Sequence, residues 1–296
     1  MQLTFLGTAC MVPTKERNLP AVFLSYNEEG ILFDCGEGTQ RQMNIAGIKR
    51  TKTTKILISH WHGDHIIGIL GLLMTINKEE PEKLVEIYGP KGTIENMKNF
   101  TLVCPELKLK IKELKPKGVE TFFENEQFLL ECAEMEHSVP CIGYSFVEKD
   151  TLKISLDKAK KFGLKSGPLL GKIQKGETIT FNEKKIKPED IASVKKGRKV
   201  TYIVDTVICK NAISLAKDSD ILISEAVYTS EMAAKAAEYQ HMTAKDAATI
   251  ANNANVKKLV LMHFSQRYKT THEIGEDAKN YFDNVVCAND FMKLNL

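Results

Sequence analysis

Six consecutive residues, His60-Trp61-His62-Gly63-Asp64-His65, lie between a compact apolar run, Lys55 to Ser59, and an apolar stretch with helical spacing, Ile66 to Asn77. Three imidazoles and a carboxylate at that density are the nitrogen and oxygen donors that catalytic zinc takes. They stand where a strand gives way to a helix, which is where α/β proteins assemble their sites. Histidines that merely cap a helix or fill a core would account poorly for so dense a set.

The rest of the chain supplies donors in the same kind of place. Val200 to Val204 reads as a strand ending in Asp205, and Leu259 to Met262 as one ending in His263. His137 follows the apolar run Phe128 to Glu134 after a short gap. A single histidine after a strand is usually a satisfied surface or core residue. Together these would converge on one sheet edge and provide ligands for two metals, with positions left for water. Two cations ~3.5–4 Å apart suit phosphodiester cleavage, because they acidify water and share the charge that develops on phosphoryl oxygens.

Short β-type runs alternate with helical patterns, which argues an α/β fold. Val22 to Ser25 and Ile31 to Phe33 read as a hairpin. Ile56 to Ser59, Val85 to Tyr88, Val200 to Val204, Ile221 to Ser224 and Leu259 to Met262 suit strands buried on both faces. Residues Leu107 to Val147 read as several successive strands. Helices are expected over Ile66–Asn77, Gly92–Phe100, Ala212–Lys217, Ser230–Glu238 and Thr243–Asn252, the last opened by a Thr243–Asp246 capping box. His272 is expected in an exposed loop, and Trp61 in wall packing.

At 296 residues and 43% hydrophobic, the chain can bury a sizeable core. Its longest apolar stretch, Ile66 to Ile76, falls short of the ~20 residues of a membrane span. The N-terminus lacks a basic region ahead of an apolar run, so no signal peptide is expected. Seven cysteines, with no CxxC pair, are expected as reduced core residues of a cytoplasmic protein. Net charge is +3, but Lys149 to Lys199 holds 15 Lys plus Arg against 6 Asp plus Glu, which leaves −6 for the remainder. By charge alone, that segment is equally a solvated surface or a positive arm for a polyanion. It reads as a protrusion rather than a second core.

With these residues in view, the chain resembles the tRNase Z (ribonuclease Z) family of the metallo-β-lactamase superfamily, nearly end to end. His60 to His65 matches the superfamily's HxHxDH. Phe5-Leu6-Gly7-Thr8 with Pro13-Thr14-Lys15-Glu16-Arg17-Asn18, and Phe33-Asp34-Cys35-Gly36-Glu37-Gly38-Thr39-Gln40, resemble blocks more specific to the family. Leu259 to Ser265, with Arg267-Tyr268, resembles its late strand.

The resemblance implies a four-layer αβ/βα domain over residues 1–296, with an inserted basic exosite arm at 150–176. It implies two zinc ions per subunit: one on His60, His62 and His137, the other on Asp64, His65 and His263, with Asp205 bridging. Asp64 would also act as general base, Asp34 would brace the ligands, and His241, oriented by Glu225, would protonate the leaving oxygen. A metal-held hydroxide would cut precursor tRNA after the discriminator nucleotide and release the 3′ trailer. Lys15, Arg17 and Asn18 would lie near the cut. Lys153, Lys158, Lys160, Lys161, Lys165, Lys172 and Lys175 would contact tRNA phosphates, which position without reading sequence. A cytoplasmic homodimer is implied, with the arm of one subunit serving the other's site.

Three blocks depart from the family pattern: Val204-Asp205-Thr206, Ser224-Glu225-Ala226-Val227 and His241-Met242-Thr243. Ser224 stands where the family has histidine, which leaves open how the hydrogen bonds there are completed. Two rival readings remain: a small-ester hydrolase on the same fold, which would need no arm, and an RNA-binding protein with little activity, which would not need the intact ligand set.

Overall fold

The computed structural model describes residues 1–165 and 167–296. The chain divides into two compact units: Met1–Phe123, Leu130–Phe146 and Lys199–Leu296 form the first, and Glu124–Leu129 with Val147–Arg198 form the second.

The first unit is built on two seven-stranded sheets. In one, the antiparallel strands Gln2–Gly7, Ala21–Tyr26 and Glu29–Phe33 lead into the parallel strands Lys55–Leu57, Val85–Gly89 and Leu109–Glu113. Lys293–Asn295 pairs outside Gln2–Gly7. The other runs Val285–Cys287, Leu259–Met262, Ile221–Glu225, Lys199–Ile203, Cys141–Glu148, Phe128–Met135, Glu120–Glu124, with its first four strands parallel. The inner faces meet through aromatic pairs: Phe33 with Tyr202 at 5.2 Å and Tyr26 with Phe146 at 5.1 Å between ring centres.

Helices cover the outer faces. Met43, Leu72, Leu73 and Met97 pack with Leu32, Ile56 and Ile87 of the first sheet. Leu215, Ala248, Ala251 and Ile274 pack with Leu222, Leu259 and Leu261 of the second. The order is therefore helix, sheet, sheet, helix. It explains the continuous apolar runs, since the central parallel strands Lys55–Leu57, Lys199–Ile203, Ile221–Glu225 and Leu259–Met262 are buried on both sides.

The helical stretch expected at Ile66–Asn77 is two pieces, Gly63–Ile66 and Gly68–Glu79. They meet where the Gly68 N–H donates to the Cys35 carbonyl at 2.9 Å, and a Cβ on Gly68 would sit 2.1 Å from the Gly36 oxygen. Only glycine allows the motif to lie this close to the Asp34 turn. Thr243 caps Ala244–Asn253 with the expected capping box.

His272 is not a loop residue. It opens the helix His272–Lys279, whose Ile274 and Ala278 are buried. Trp61 is wall packing, with its indole N–H on Thr93 Oγ1 at 2.9 Å and its ring near Phe100. All seven cysteines are free thiols, and five are buried.

The second unit corrects the reading that this segment lacks a core. Thr151–Ile154 pairs with Ala192–Lys195, and Ile179–Phe181 with Lys184–Ile186. With the helices Leu156–Lys161, Pro168–Gln174 and Pro188–Ile191, they enclose Ala159, Leu164, Leu170, Ile173, Ile179, Ile186 and Ile191. These apolar residues are scattered singly among lysines, so no periodicity marks them in the sequence.

Candidate metal centre

Each proposed donor stands at or just beyond a strand end. His60 and His62 follow Lys55–Leu57, and Asp64 and His65 lie on the turn Gly63–Ile66. His137 follows Phe128–Met135, Asp205 follows Lys199–Ile203, and His263 follows Leu259–Met262. Asp34, Asp205 and His263 all have left-handed backbones, with φ of 54°, 51° and 61°. Non-glycine residues adopt that region at a cost and cluster at functional sites. Here it turns the chain sharply off the strand and sends the side chain across the sheet edge.

Three groups of donor atoms form, each within ligating reach: His60, His62 and His137; Asp64, His65 and His263; and Asp205 with His60 and His65. The Asp205 carboxylate lies 3.0 Å from His60 Nε2 and 2.8 Å from His65 Nε2, so it can serve both triads. Ring nitrogens face one another at 2.9 Å (His60 Nε2 to His62 Nδ1), 3.3 Å (His137 Nε2 to His62 Nδ1) and 3.2 Å (His65 Nε2 to His263 Nε2). Tetrahedral zinc with 2.0–2.1 Å bonds holds its ligand atoms roughly 3.3 Å apart, so these separations fit a shared cation. Asp205 Oδ1 and His263 Nδ1 are also buried without a hydrogen bond, although only 3.2 Å separates them. Buried polar atoms are rarely left so, and a metal would satisfy the carboxylate.

The imidazoles are oriented from behind. Asp34 is fully buried and accepts from the Ser59 N–H at 2.7 Å, Ser59 Oγ at 2.8 Å, Tyr202 Oη at 2.8 Å and His65 Nδ1 at 2.7 Å. Ser59 Oγ, with its proton directed at Asp34, is left to accept from His60 Nδ1 at 2.9 Å. With a metal bound, both rings would present an unprotonated Nε2 to the centre. Asp34 thus fixes the His65 ring directly and the His60 ring through Ser59. Ser59 and Tyr202 were not anticipated. Ser59 could have been suspected from its place beside the motif, but Tyr202 sits in an apolar strand 168 residues from its partner and carries no signal.

Charge in the cluster follows from burial and neighbours. Burial holds the His137 imidazole down to about 4, against the pull of Asp205, so it stays neutral. Burial opposes charge on Asp64, but His263 and His65 hold its carboxyl far below the usual range. Burial likewise opposes charge on His241, yet Glu225 and Asp205 outweigh it and raise this imidazole to about 10. His241 Nδ1 lies 3.0 Å from Glu225 Oε2 and 3.2 Å from Asp205 Oδ1. Glu225 is a buried strand-end residue rather than a surface one, and its other oxygen accepts from the Thr206 N–H at 2.7 Å. Ser224, also buried, donates to the Glu225 carbonyl at 3.1 Å. Asp205, Glu225, His241 and His263 form a fourth group within ligating reach.

The loop residues divide. Lys15 is exposed. Arg17 is buried and donates to the Tyr268 carbonyl at 2.5 Å, and Asn18 Nδ2 donates to the Glu37 carbonyl at 2.8 Å. Both side chains thus hold the loop in place. In the second unit, Lys153, Lys158, Lys160, Lys161, Lys165, Lys172 and Lys175 are all exposed.

Comparison with known proteins decides the family. The chain is 40% identical over 299 residues to the Ribonuclease Z of Methanothermobacter thermautotrophicus, covering 99% of this chain and 95% of that one.

The chain belongs to the ribonuclease Z family.

A solved structure of human tRNase Z, short form, superposes with a TM-score of 0.74 at 30% identity, covering 100% of this chain and 99% of that one. The metallo-β-lactamase fold protein YhfI from Bacillus subtilis, at 17% identity, shares the fold with a TM-score of 0.71 over 99% and 98% of the two chains. Residues 1–160 also match the family model described as Anti-Pycsar protein Apyc1. That match contains His60 to His65 and His137 but ends before Asp205, Glu225, His241 and His263. The ribonuclease Z match spans both halves of this donor set. Among the described residues, no helix is long and apolar enough to cross a membrane.

Proposed function

We propose that the chain is a tRNA 3′-processing endoribonuclease that cuts precursor tRNA after the discriminator nucleotide, using two zinc ions. The observation that carries this reading is the convergence of His60, His62, Asp64, His65, His137, Asp205 and His263 into two triads joined by one carboxylate, in a member of the ribonuclease Z family. A bound metal pair would supply Lewis acidity toward phosphoryl oxygens and a lowered pKa for water.

The protein groups would do the rest. His60, His62 and His137 would hold one ion; Asp64, His65 and His263 would hold the other; Asp205 would span them. Asp64 would take a proton from the attacking water as it adds to phosphorus. His241, steadied through Nδ1 by Glu225, would donate the proton at Nε2 to the departing 3′ oxygen. The products are a tRNA with a free 3′ hydroxyl and a trailer with a 5′ phosphate. The seven exposed lysines of the second unit would hold phosphates of the tRNA body, and Lys15 those near the cut. The working form would be a cytoplasmic homodimer in which the lysine-rich unit of one subunit serves its partner's site.

A second reading, hydrolysis of small phosphodiesters on the same fold, draws on the match of residues 1–160, which hold His60 to His65 and His137, to a second family model. A cleavage assay separates the two. Zinc-loaded protein, given a precursor tRNA with a 3′ trailer, should make a single cut after the discriminator. Good turnover of a small phosphodiester without any cut in tRNA would replace the first reading with the second.

A further inference from the structure

The N-terminal loop between Thr8 and Asn18 is closed at its neck. The Ala9 N–H donates to the Asn18 carbonyl at 2.9 Å, and a Cβ on Gly7 would lie 1.8 Å from the Leu19 oxygen, so the two legs run in contact. Only glycine permits that approach. Both legs are then tied to a single distant carboxylate. Asp290 Oδ2 accepts from the Asn18 N–H at 2.7 Å, and Oδ1 accepts from Thr8 Oγ1 at 2.9 Å. Gln42 Nε2 joins at 2.9 Å while also donating to the Leu6 carbonyl at 2.8 Å. The Asn18 leg is further pinned by Arg17 on the Tyr268 carbonyl.

Met11 stands on the Thr8 leg, directly after Cys10, whose N–H donates to the Phe264 carbonyl at 3.0 Å. Its side chain is 74% exposed, so packing does not hold it. Its backbone is nevertheless left-handed, at φ 59°, a conformation that methionine disfavours and that isolated loops do not keep without support. In that conformation its N–H points at Asp64 Oδ2, at 3.0 Å. The same oxygen faces His65 Nε2 at 3.5 Å and His263 Nε2 at 3.7 Å, so it is the one that would ligate a metal held by these three.

We propose that Asp290 is a positioning residue for the Asp64 metal site: it clasps both legs of the loop and thereby holds Met11 in the strained conformation that keeps its amide on Asp64. The inference rests on reading Asp64 as a metal ligand. Hydrogen-bond partners of metal ligands typically govern 10–100-fold in metal affinity, and this amide is such a partner.

The test measures zinc binding by chelator competition on the full-length protein, with cleavage of precursor tRNA recorded beside it. Asp290→Asn keeps the size but puts an NH2 against donors. It should weaken one of the two zinc ions about 10-fold or more and leave the other unchanged. Adding Met11→Gly should recover most of that affinity, because glycine adopts positive φ without strain and no longer needs the clasp. A purely structural role would show the opposite: a second loosening substitution would make binding worse.

Met11→Val covers the case in which Asp290→Asn does not fold. It alters only an exposed side chain, yet β-branching makes positive φ harder to keep, so the same zinc should weaken with Asp290 intact. Unchanged zinc affinity in folded Asp290→Asn, no recovery on adding Met11→Gly, or no effect of Met11→Val would each overturn the proposal. Failure of the tRNA reading looks different: wild type would bind two zinc ions and cut no tRNA, and the affinity comparison would still decide the role of Asp290.

Discussion

The two units of this chain use charge in opposite ways. In the first, ionisable groups are buried at strand ends, and each is fixed by named partners: Asp34 by four donors, Glu225 by the Thr206 amide and His241. In the second, the core is a small set of aliphatic residues and the charge lies outside on exposed lysines. Among the described residues, none of those seven lysines is ion-paired. Buried charge in a poorly solvating interior demands well-placed partners. Exposed charge acts through its sum and its distance from a polyanion, and is screened by salt. One region should therefore fail through single residues, the other only by degrees.

The sharpest break of this contrast is Asp64→Ala. It removes a ligand and the proposed base together, so cleavage of precursor tRNA should fall on the order of 10³-fold, equivalent to about 4 kcal/mol of transition-state stabilisation. A variant that still cuts within 10-fold of wild type would remove Asp64 from the mechanism. His241→Ala should cost less, about 10²-fold in kcat, which is within the usual worth of a general acid. A leaving group that needs no proton should restore most of that loss, whereas equal loss on both substrates would make His241 a ligand instead.

Changing Lys158, Lys160, Lys161, Lys165, Lys172 and Lys175 to Gln should act differently. KM for precursor tRNA should rise roughly 10-fold or more at moderate salt, and kcat at saturation should hold. The slope of binding against log salt should shrink by about 1 for each phosphate that is no longer neutralised. Turnover of a small phosphodiester should not change. Loss of activity on both substrates would mean that the second unit does more than gather charge.

The smallest effect concerns stability of the metal-stripped protein. Burial disfavours charge on His241, but Glu225 and Asp205 raise it to about 10, and His65 and His263 are raised well above 6.5 chiefly against Asp205. A raised imidazole contributes stability that is complete below its unfolded value near 6.5 and is lost as pH climbs through its folded value. The thermal midpoint of stripped protein should thus drop by a few degrees between pH 6.5 and 10. Zinc-loaded protein should not follow that course, because metal binds the neutral rings. A flat profile for the stripped protein would show that the pairs around Asp205 form only with metal present.

Much of this was legible in advance. The HxHxDH block, the apolar runs that end in Asp205 and His263, and the Thr243 cap all follow local rules of period, spacing and capping. The helix His272–Lys279 was not legible, because only Ile274 and Ala278 face the core and the pattern is too sparse. The core of residues 147–198 escaped for the same reason.

The sequence by itself determined which residues could bind metal, that they would stand at strand ends, and where positive charge would gather. These are properties of residue type and local spacing, which a linear chain displays directly. Tertiary structure alone decided that Tyr202 and Ser59, with Asp34, orient His60 and His65, that Arg17 holds a loop from within, and that Asp290 reaches both legs of that loop. Each depends on a hydrogen bond of about 3 Å between segments far apart in sequence. Such a bond exists only once the fold has brought those segments together, and no local pattern announces it.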